Sequence, residues 1–222
     1  MTKINRVLQG LFIRNIFYVL CLLYFVAAGL FIYWLGKEET FLIFNRNYNP
    51  SVGQFYRYFT HIGDGFFVIF LVVVLLFVKY YYALMLLLCY AIPSLLVQFL
   101  KRIVFPDVAR PLKYYTWEKP MKINLTEGVD TAIMNSFPSG HTASAFALFC
   151  FLAVVVKNPV WRVLFFILAV NCAISRVYIS EHFFVDTYAG ALISYVLCII
   201  IIYLLETSAL KVKLQSSILN KS

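Results

Sequence analysis

The sequence predicts an all-α integral membrane protein, built as a bundle of six transmembrane helices. Hydrophobic residues make up 63% of the 222 residues and charged residues only 13%. Soluble domains are about half apolar and about one quarter charged, so this composition excludes an ordinary soluble domain. Six apolar segments each approach the length that crosses hydrocarbon. Because backbone inside lipid must satisfy its own hydrogen bonds, the segments are expected to pack together as one domain spanning 1–222.

The six segments are separated by short polar links or by longer loops. They cover residues 15–35, 65–78, 80–100, 141–157, 160–179 and 184–205. Loop breaks are expected at Val52-Gly53 and at Gly63-Asp64-Gly65, where glycine interrupts the apolar pattern. All five cysteines fall inside apolar runs without metal or disulfide spacing, which predicts that they are buried small side chains.

Six crossings would place both termini on one side of the membrane and the loops 36–64 and 101–140 on the other. Lysine and arginine divide almost equally between the sides, but the terminal side holds its share in about half as many residues. The positive-inside tendency then predicts cytoplasmic termini in the inner (cytoplasmic) membrane, with the long loops facing the periplasm or exterior. The net charge of +9 is explained by membrane flanks and an anionic substrate rather than by nucleic acid.

A polar loop turns into an apolar helix at Pro138-Ser139-Gly140-His141. Proline suits the beginning of a helix, serine can cap it, and glycine leaves the backbone open to close approach. A helix that begins this way directs free N–H groups at an anion, and phosphate is a favoured one. An ordinary helix cap uses the same residues, so this motif alone leaves both interpretations open.

A second cluster lies where the fifth and sixth segments meet. It contains Ser175-Arg176, then His182, and then Asp186 four residues later. Charged side chains so close to hydrocarbon are costly, which favours a functional role. On a helix the carboxylate could accept a hydrogen bond from one imidazole nitrogen and leave the other free as a base or nucleophile. A His–Asp pair that only ties two helices together is the structural alternative.

The loop 101–138 is basic and aromatic. It begins with Lys101-Arg102 and continues to Arg110-Pro111. Tyr114, Tyr115 and Trp117 are typical of an aromatic belt at the membrane interface. Lys101 could also be a cation that extends from a helix end to the interface. His61, in the first outward loop, fits a plain turn before the second helix better than a site residue.

Together these three elements resemble the signature of the type 2 phosphatidic acid phosphatase superfamily, the membrane lipid-phosphate phosphatases that share a core with vanadium haloperoxidases. The second element matches as Pro-Ser-Gly-His. The third matches as Ser-Arg, five residues, His, three residues and Asp. The first element departs from the pattern, because eight residues instead of six separate Lys101 from Arg110. Arg102 is therefore an alternative to Lys101 for the first cation.

The resemblance implies metal-free hydrolysis of a phosphate monoester or diphosphate through a phosphohistidine, with no cofactor. In this mechanism His182 attacks phosphorus, Asp186 orients it, and His141 protonates the leaving oxygen. The phosphate oxygens would be held by cations and by groups of the second motif, namely Lys101, Arg110, Arg176, Ser139 and Gly140.

The expected partners are the bilayer and an anionic lipid phosphate, because the motifs lie at helix ends, level with lipid headgroups. The basic loop, with Lys113, Lys119 and Lys122, favours an envelope lipid such as undecaprenyl diphosphate or lipid A. The alternatives are phosphatidylglycerol phosphate, phosphatidic acid and transfer of phosphate between lipids. An anion transporter or a non-catalytic lipid-binding protein belongs to a different class. The clustering of charges at one interface disfavours the transporter, and the two histidines disfavour the binding protein.

Overall fold

The computed structural model describes residue 9 and residues 15–220 of the chain. No strand occurs among these residues, so the predicted all-α class is confirmed for the described part of the chain. The ends of the predicted domain, residues 1–8, 10–14 and 221–222, lie outside it. Residues 15–220 contain seven longer helices: α1 Ile16–Arg46, α2 Pro50–Phe59, α3 Gly65–Val78, α4 Tyr80–Phe99, α5 Gly140–Val155, α6 Pro159–Tyr178 and α7 Phe184–Thr207.

Polar caps begin several of these helices. The side chains of Asn15, Asn49, Asp64 and Asn158 accept backbone N–H bonds at the beginnings of α1, α2, α3 and α6. Such caps satisfy N–H groups that have no partner within the helix. Short helical turns follow α4 at Leu100–Val104 and occupy Pro111–Lys113 and Tyr114–Glu118 in the long loop.

Helices occur in all six of the apolar segments. In the described part of the chain, four helices are long and apolar enough to cross a membrane: α1, Tyr80–Val104, α6 and α7. Pro50–Gly63 and Gly65–Val78, which are bent by 44° at their junction, would add a fifth span if they cross as one unit. Helix α5 is apolar but has only 16 residues. The chain is thus an integral membrane protein, and the count of six crossings stays a prediction.

The structure differs from the prediction at the end of α1 and at one predicted loop break. Helical structure continues beyond residue 35 to Arg46, although Gly36 breaks it with φ 73° and ψ 178°. This backbone conformation suits glycine, which has no Cβ to clash. The predicted break at Val52-Gly53 is wrong, because α2 runs through both residues after Asn49 and Pro50 begin it. The predicted break around Asp64 is confirmed.

Helix α5 is the central helix, packed against α4, α6 and α7. Residues 142–151 are all buried, which explains why the helix is apolar on every side. The five cysteines are free and buried, as predicted. A smaller second core, which includes Phe41, Tyr115 and Phe183, lies under the long loop.

Two glycines allow the site elements to approach one another. A Cβ at Gly190 of α7 would collide with the carbonyl oxygen of Ser139. A Cβ at Gly63 would lie 2.5 Å from the carbonyl oxygen of His141 and 2.7 Å from Cys172 Sγ. The beginning of α5 is therefore held closely between α7 and the turn before α3.

Candidate active site

A cavity of about 470 Å³ lies at the end of the bundle where α5 begins and α6 ends. Six of the eight predicted site residues line it: Lys101, Arg110, Gly140, His141, Arg176 and His182. The first and the last of them, Lys101 and His182, are 81 residues apart in the sequence. The fold therefore assembles one positively charged cavity from the three sequence motifs.

His182 lies in front of Asp186, which does not itself line the cavity. His182 Nδ1 is 3.4 Å from Asp186 Oδ2, and both side chains are almost fully buried. The same carboxylate oxygen accepts hydrogen bonds from the Ser136 hydroxyl at 2.5 Å and from the Phe183 N–H at 2.9 Å. The carboxylate is thereby held in place behind the imidazole, as a group that orients histidine must be.

The backbone around His182 is held by the end of α6. The N–H groups of Glu181 and His182 donate to the Arg176 carbonyl oxygen at 3.0 and 3.1 Å. Ser180 adopts φ 61°, and its hydroxyl bridges the Asn45 amide and the Asn124 carbonyl. The tight turn after α6 thus positions His182 by contacts with α1 and the long loop.

Both arginines contact one carboxylate, that of Glu181. Arg110 Nη1 donates to Glu181 Oε2, and Arg176 Nη2 lies 3.3 Å from the same oxygen. Arg110 Nε also donates to the Met134 carbonyl, and Arg176 Nη1 donates to the Thr60 hydroxyl at 3.0 Å. These contacts orient two planar guanidinium groups at the cavity.

Helix α5 begins within the second motif, at Gly140, but the Ser139 side chain at its N-cap makes no capping hydrogen bond, so the predicted serine cap is not formed. The Ser139 N–H donates to the Asp186 carbonyl at 2.9 Å, which joins the motif to α7. Ser139 is fully buried, and its hydroxyl accepts from Thr142 at 3.0 Å. Gly140 and His141 line the cavity, whereas Ser139 does not. A direct contact between the Ser139 hydroxyl and phosphate stays a prediction.

Lys101 and Arg102 are placed differently. Lys101 lies in the turn after α4 and lines the cavity, whereas Arg102 is exposed and is absent from the cavity wall. A π-helical turn over Leu100–Val104 accompanies the longer spacing between Lys101 and Arg110. The geometry therefore favours Lys101 over Arg102 as the cation of the first motif.

Burial lowers the pKa of His182 well below its usual value, and the positive charges of Arg110, Lys101 and Arg176 act in the same direction. The imidazole is consequently neutral near pH 7, with a lone pair available on one nitrogen. Burial also lowers the pKa of Arg110, although Glu181 opposes this effect. Arginine nevertheless stays charged, since its pKa lies far above neutral pH.

Several polar side chains of the loops lie away from the cavity. Lys113 contacts Met134, Lys119 pairs with Glu38, and neither these two lysines nor Lys122 lines the cavity. These lysines therefore give no structural support to the preference for a strongly anionic headgroup. His61 has an exposed side chain 3.8 Å from Asp64 and lines a neighbouring cavity of about 330 Å³.

The assignment of Tyr115 to an interfacial belt is wrong. Tyr115 is buried and stacks on Phe41, with ring centroids 5.5 Å apart. Trp117 is exposed, consistent with the belt, and the Tyr114 hydroxyl donates to Glu38 at 2.7 Å. Tyr115 was misassigned because its partner, Phe41, comes from a distant part of the sequence.

Other residues around the cavity were not predicted from the sequence. Glu181 is one of them, and its adjacency to His182 was the available signal. No sequence pattern indicated Ser136, because its partner Asp186 is 50 residues away. The cavity wall also includes Tyr90, Ser94 and Gln98 of α4, which were counted only as parts of an apolar segment. Among residues 15–220, no group of three or more metal-ligating side chains occurs.

Comparison with known proteins identifies the family. The family model of the PAP2 superfamily matches residues 82–209, more than half of the chain. The chain belongs to the PAP2 superfamily. It is therefore a lipid-phosphate phosphatase, an enzyme of the membrane. The matched region of this PAP2 protein contains all three motifs.

Two solved structures resemble this PAP2 protein. LpxE from Aquifex aeolicus is 26% identical, with a TM-score of 0.64, and the alignment covers 75% of this chain and 94% of LpxE. The phosphatidylglycerolphosphate phosphatase of PAP2 type from Bacillus subtilis is 23% identical, with a TM-score of 0.59 and coverage of 82% and 92%. The second likeness concerns the fold alone. None of the curated proteins compared matches the chain significantly.

Proposed function

We propose that this PAP2 protein hydrolyses a phosphate monoester or diphosphate on a membrane lipid through a phosphohistidine, without a metal ion. The observation that carries the proposal is the arrangement around His182. A neutral, buried imidazole has a carboxylate behind it and a cavity in front, and that cavity is lined by three cations and a second histidine. A nucleophile, an orienting group, an acid and an anion site are thus present together.

In the first step, the free nitrogen of His182 attacks phosphorus. The bond from phosphorus to the lipid oxygen breaks, and His141 gives its proton to that oxygen. Asp186, whose Oδ2 lies 3.4 Å from His182 Nδ1, would orient the ring and stabilise the positive charge that forms on it. In the second step, His141 removes a proton from water, and the water oxygen attacks phosphorus. The P–N bond then breaks, which releases phosphate and neutral His182.

The cations provide the electrostatic part of the mechanism. Lys101, Arg110 and Arg176 would surround the equatorial oxygens, and the N–H of Gly140 would donate to one of them. Phosphoryl transfer requires mainly positioning and charge stabilisation, which fixed cations around a cavity provide. The Ser139 hydroxyl would join them by turning away from Thr142.

A lipid substrate is supported by the position of the cavity. It lies at the ends of α4, α5 and α6, so a hydrocarbon tail could stay in the bilayer while the phosphate enters. Envelope lipids such as undecaprenyl diphosphate or lipid A are the substrates we propose, with phosphatidylglycerol phosphate and phosphatidic acid as alternatives. We place the protein in the inner membrane, with six crossings, cytoplasmic termini and the site facing the periplasm or exterior.

The test is phosphate release from a panel of these lipids by purified protein in detergent containing EDTA. Wild-type protein should release phosphate, and His182→Ala should release none above background. His61→Ala is the matched control, since it removes a histidine outside the cavity wall, and it should retain activity. No release from any lipid by folded wild-type protein, or full activity of His182→Ala, would contradict the proposal.

The intermediate can be tested separately. Brief reaction with a ³²P-labelled lipid, followed by alkaline denaturation, should leave label on wild-type protein, because a phosphohistidine survives alkali and is lost in acid. His182→Ala should carry no label. Label that survives acid would indicate a different nucleophile.

A further inference from the structure

One wall of the cavity runs along α4 from the phosphate site. This wall carries a polar stripe, formed by the side chains of Tyr90, Ser94 and Gln98. Each of these residues lines the cavity, as does Lys101 at its end. Their spacings of four, four and three residues place them on one face of the helix. At 1.5 Å per residue, Gln98 lies about 4.5 Å and Ser94 about 10 Å along the helix from Lys101. The stripe therefore begins beside the phosphate and extends beyond it.

Polar side chains are unusual in a helix whose other faces meet hydrocarbon. Neighbouring residues on the other faces of α4 are exposed apolar side chains, among them Leu95 at 71% and Phe99 at 50% exposure. Within residues 15–220, the side chains of Tyr90, Ser94 and Gln98 make no hydrogen bond, although a helical serine can bond to the carbonyl four residues before it. Polar groups without partners are costly in lipid, which favours a role in binding.

The cavity is open beside the beginning of α5. Gly63 and Gly65, near the beginning of α3, also line the cavity but pack closely: a Cβ at Gly65 would collide with the Tyr90 hydroxyl, and a Cβ at Gly63 with the His141 carbonyl oxygen. An added Cβ at Gly140 would meet no atom within 4 Å. The cavity volume of about 470 Å³ lies within the ~300–1,000 Å³ of small-molecule pockets. This space accommodates more than one phosphate group.

We infer that Ser94 and Gln98 recognise the alcohol to which the phosphate is bonded, and that they select an alcohol carrying hydroxyl, ester or amide groups. The inference rests on the proposed function, in which Lys101 holds the phosphate at one end of the stripe. A serine hydroxyl and a glutamine amide both donate and accept hydrogen bonds, so they suit such groups and gain nothing from a plain hydrocarbon chain. Lipids built on glycerol or on a sugar share this chemistry.

Recognition of the alcohol would favour some of the proposed substrates over others. A polyprenyl monophosphate offers only hydrocarbon next to its phosphate, and the stripe would stay unpaired against it. Ser94 is half-buried and Gln98 is exposed in the structure, so discrimination arises when a bound substrate covers these side chains and leaves their polar groups unpaired. Acylated glycerol phosphates and acylated sugar phosphates are therefore expected to be better substrates than alkyl or polyprenyl phosphates.

The test measures kcat/KM for three single-chain lipids of equal length, with EDTA present: an alkyl phosphate, a 1-acylglycerol phosphate and an acylated hexose 1-phosphate. The wild-type enzyme should prefer at least one oxygen-rich lipid to the alkyl phosphate by tenfold or more, since two hydrogen bonds distinguish them, each worth about fivefold. The preferred member of the pair identifies which source of hydroxyl and carbonyl groups the site accepts.

Gln98→Leu and Ser94→Ala should each lower that preference about fivefold, as expected for one lost hydrogen bond. Leu95→Ala, on the lipid-facing side of the same helix, should leave the preference unchanged. A wild-type preference near one, or a preference unaffected by both variants, would overturn the inference and leave the phosphatase function intact. Failure of the wild-type enzyme to cleave any of the lipids would instead overturn the proposed function, and the inference with it.

Discussion

At the scale of single residues, Glu181 is the group on which the two arginines depend. Its carboxylate is 5% exposed and neutralises part of the charge of Arg110 and Arg176 before substrate binds. Removal of one partner from a buried ion pair costs about 3 kcal/mol, because the remaining charge is left without compensation. A bound phosphate would supply the missing negative charge.

Glu181→Gln is therefore expected to lower the melting temperature in detergent, and orthovanadate should raise it more in this variant than in the wild type. The measurement is thermal unfolding with and without vanadate. Glu118→Gln, which changes an exposed carboxylate, is the control and should behave like the wild type. Equal stabilisation of Glu181→Gln and wild type by vanadate would show that the carboxylate does not balance the arginines.

Ser136 is a second residue whose role depends on one contact, its hydrogen bond to Asp186. Ser136→Ala should lower kcat about tenfold with little change in KM, because it loosens the carboxylate that orients His182 without touching the substrate. Steady-state kinetics on the best lipid of the panel measures this. Ser51→Ala, at an exposed serine of α2, is the control. A rise in KM with unchanged kcat would contradict a positioning role.

The protonation state of His182 can be observed directly. Its lowered pKa predicts a neutral ring at pH 6, where an ordinary histidine with a pKa of about 6.5 is mostly charged. The chain has only three histidines, so NMR of ¹³C-labelled histidine resolves them, and His182→Gln assigns the signal. Because the depressed pKa opposes protonation, the neutral signal should persist as the pH falls through 6.5. Normal titration would show that burial and cations do not act on this ring.

At the scale of elements, the close contact between α7 and the beginning of α5 holds His141 and Asp186 in register. Gly190→Ala should push Ser139 away, cost about 2 kcal/mol of stability and reduce activity, since overpacking at a backbone contact has little room to relax. Gly29→Ala is a matched control at another contact of α7, because its Cβ would meet only the Tyr188 hydroxyl at 3.3 Å. Activity assays and thermal unfolding compare the two. Equal effects would contradict the importance of the α5–α7 contact.

At the scale of the whole molecule, the proposed topology places the loop 101–140 outside and the chain termini inside the cell. The native cysteines are buried and should react little with a membrane-impermeant maleimide. Glu118→Cys should be labelled in intact cells, whereas Gln215→Cys should be labelled only after permeabilisation. The reverse pattern would show that the protein is inserted with the opposite orientation.

The sequence by itself determined the class of the protein and named six of the residues that line the cavity. Apolar runs in lipid leave the backbone little choice but helix, so helices occur in all six segments, although only four helices of residues 15–220 are long enough to span a membrane alone. The motif residues could be named because spacing within a motif is local: Asp186 follows His182 by four residues, and α5 begins two residues after Pro138. His182 itself precedes α7, so the expectation that the two residues share one helix is wrong. The helix Pro50–Phe59 was missed, because its glycine and short length resemble a loop.

Only the tertiary structure decided which distant side chains meet. The bond from Ser136 to Asp186, the pairing of both arginines with Glu181, the burial of Tyr115 and the choice of Lys101 over Arg102 depend on contacts between separate elements. Hydropathy records how apolar a segment is but not which face of it meets a cavity. For this reason the polar stripe of α4 was invisible in the sequence, and it became evident only when Lys101 and the stripe were found to line one cavity.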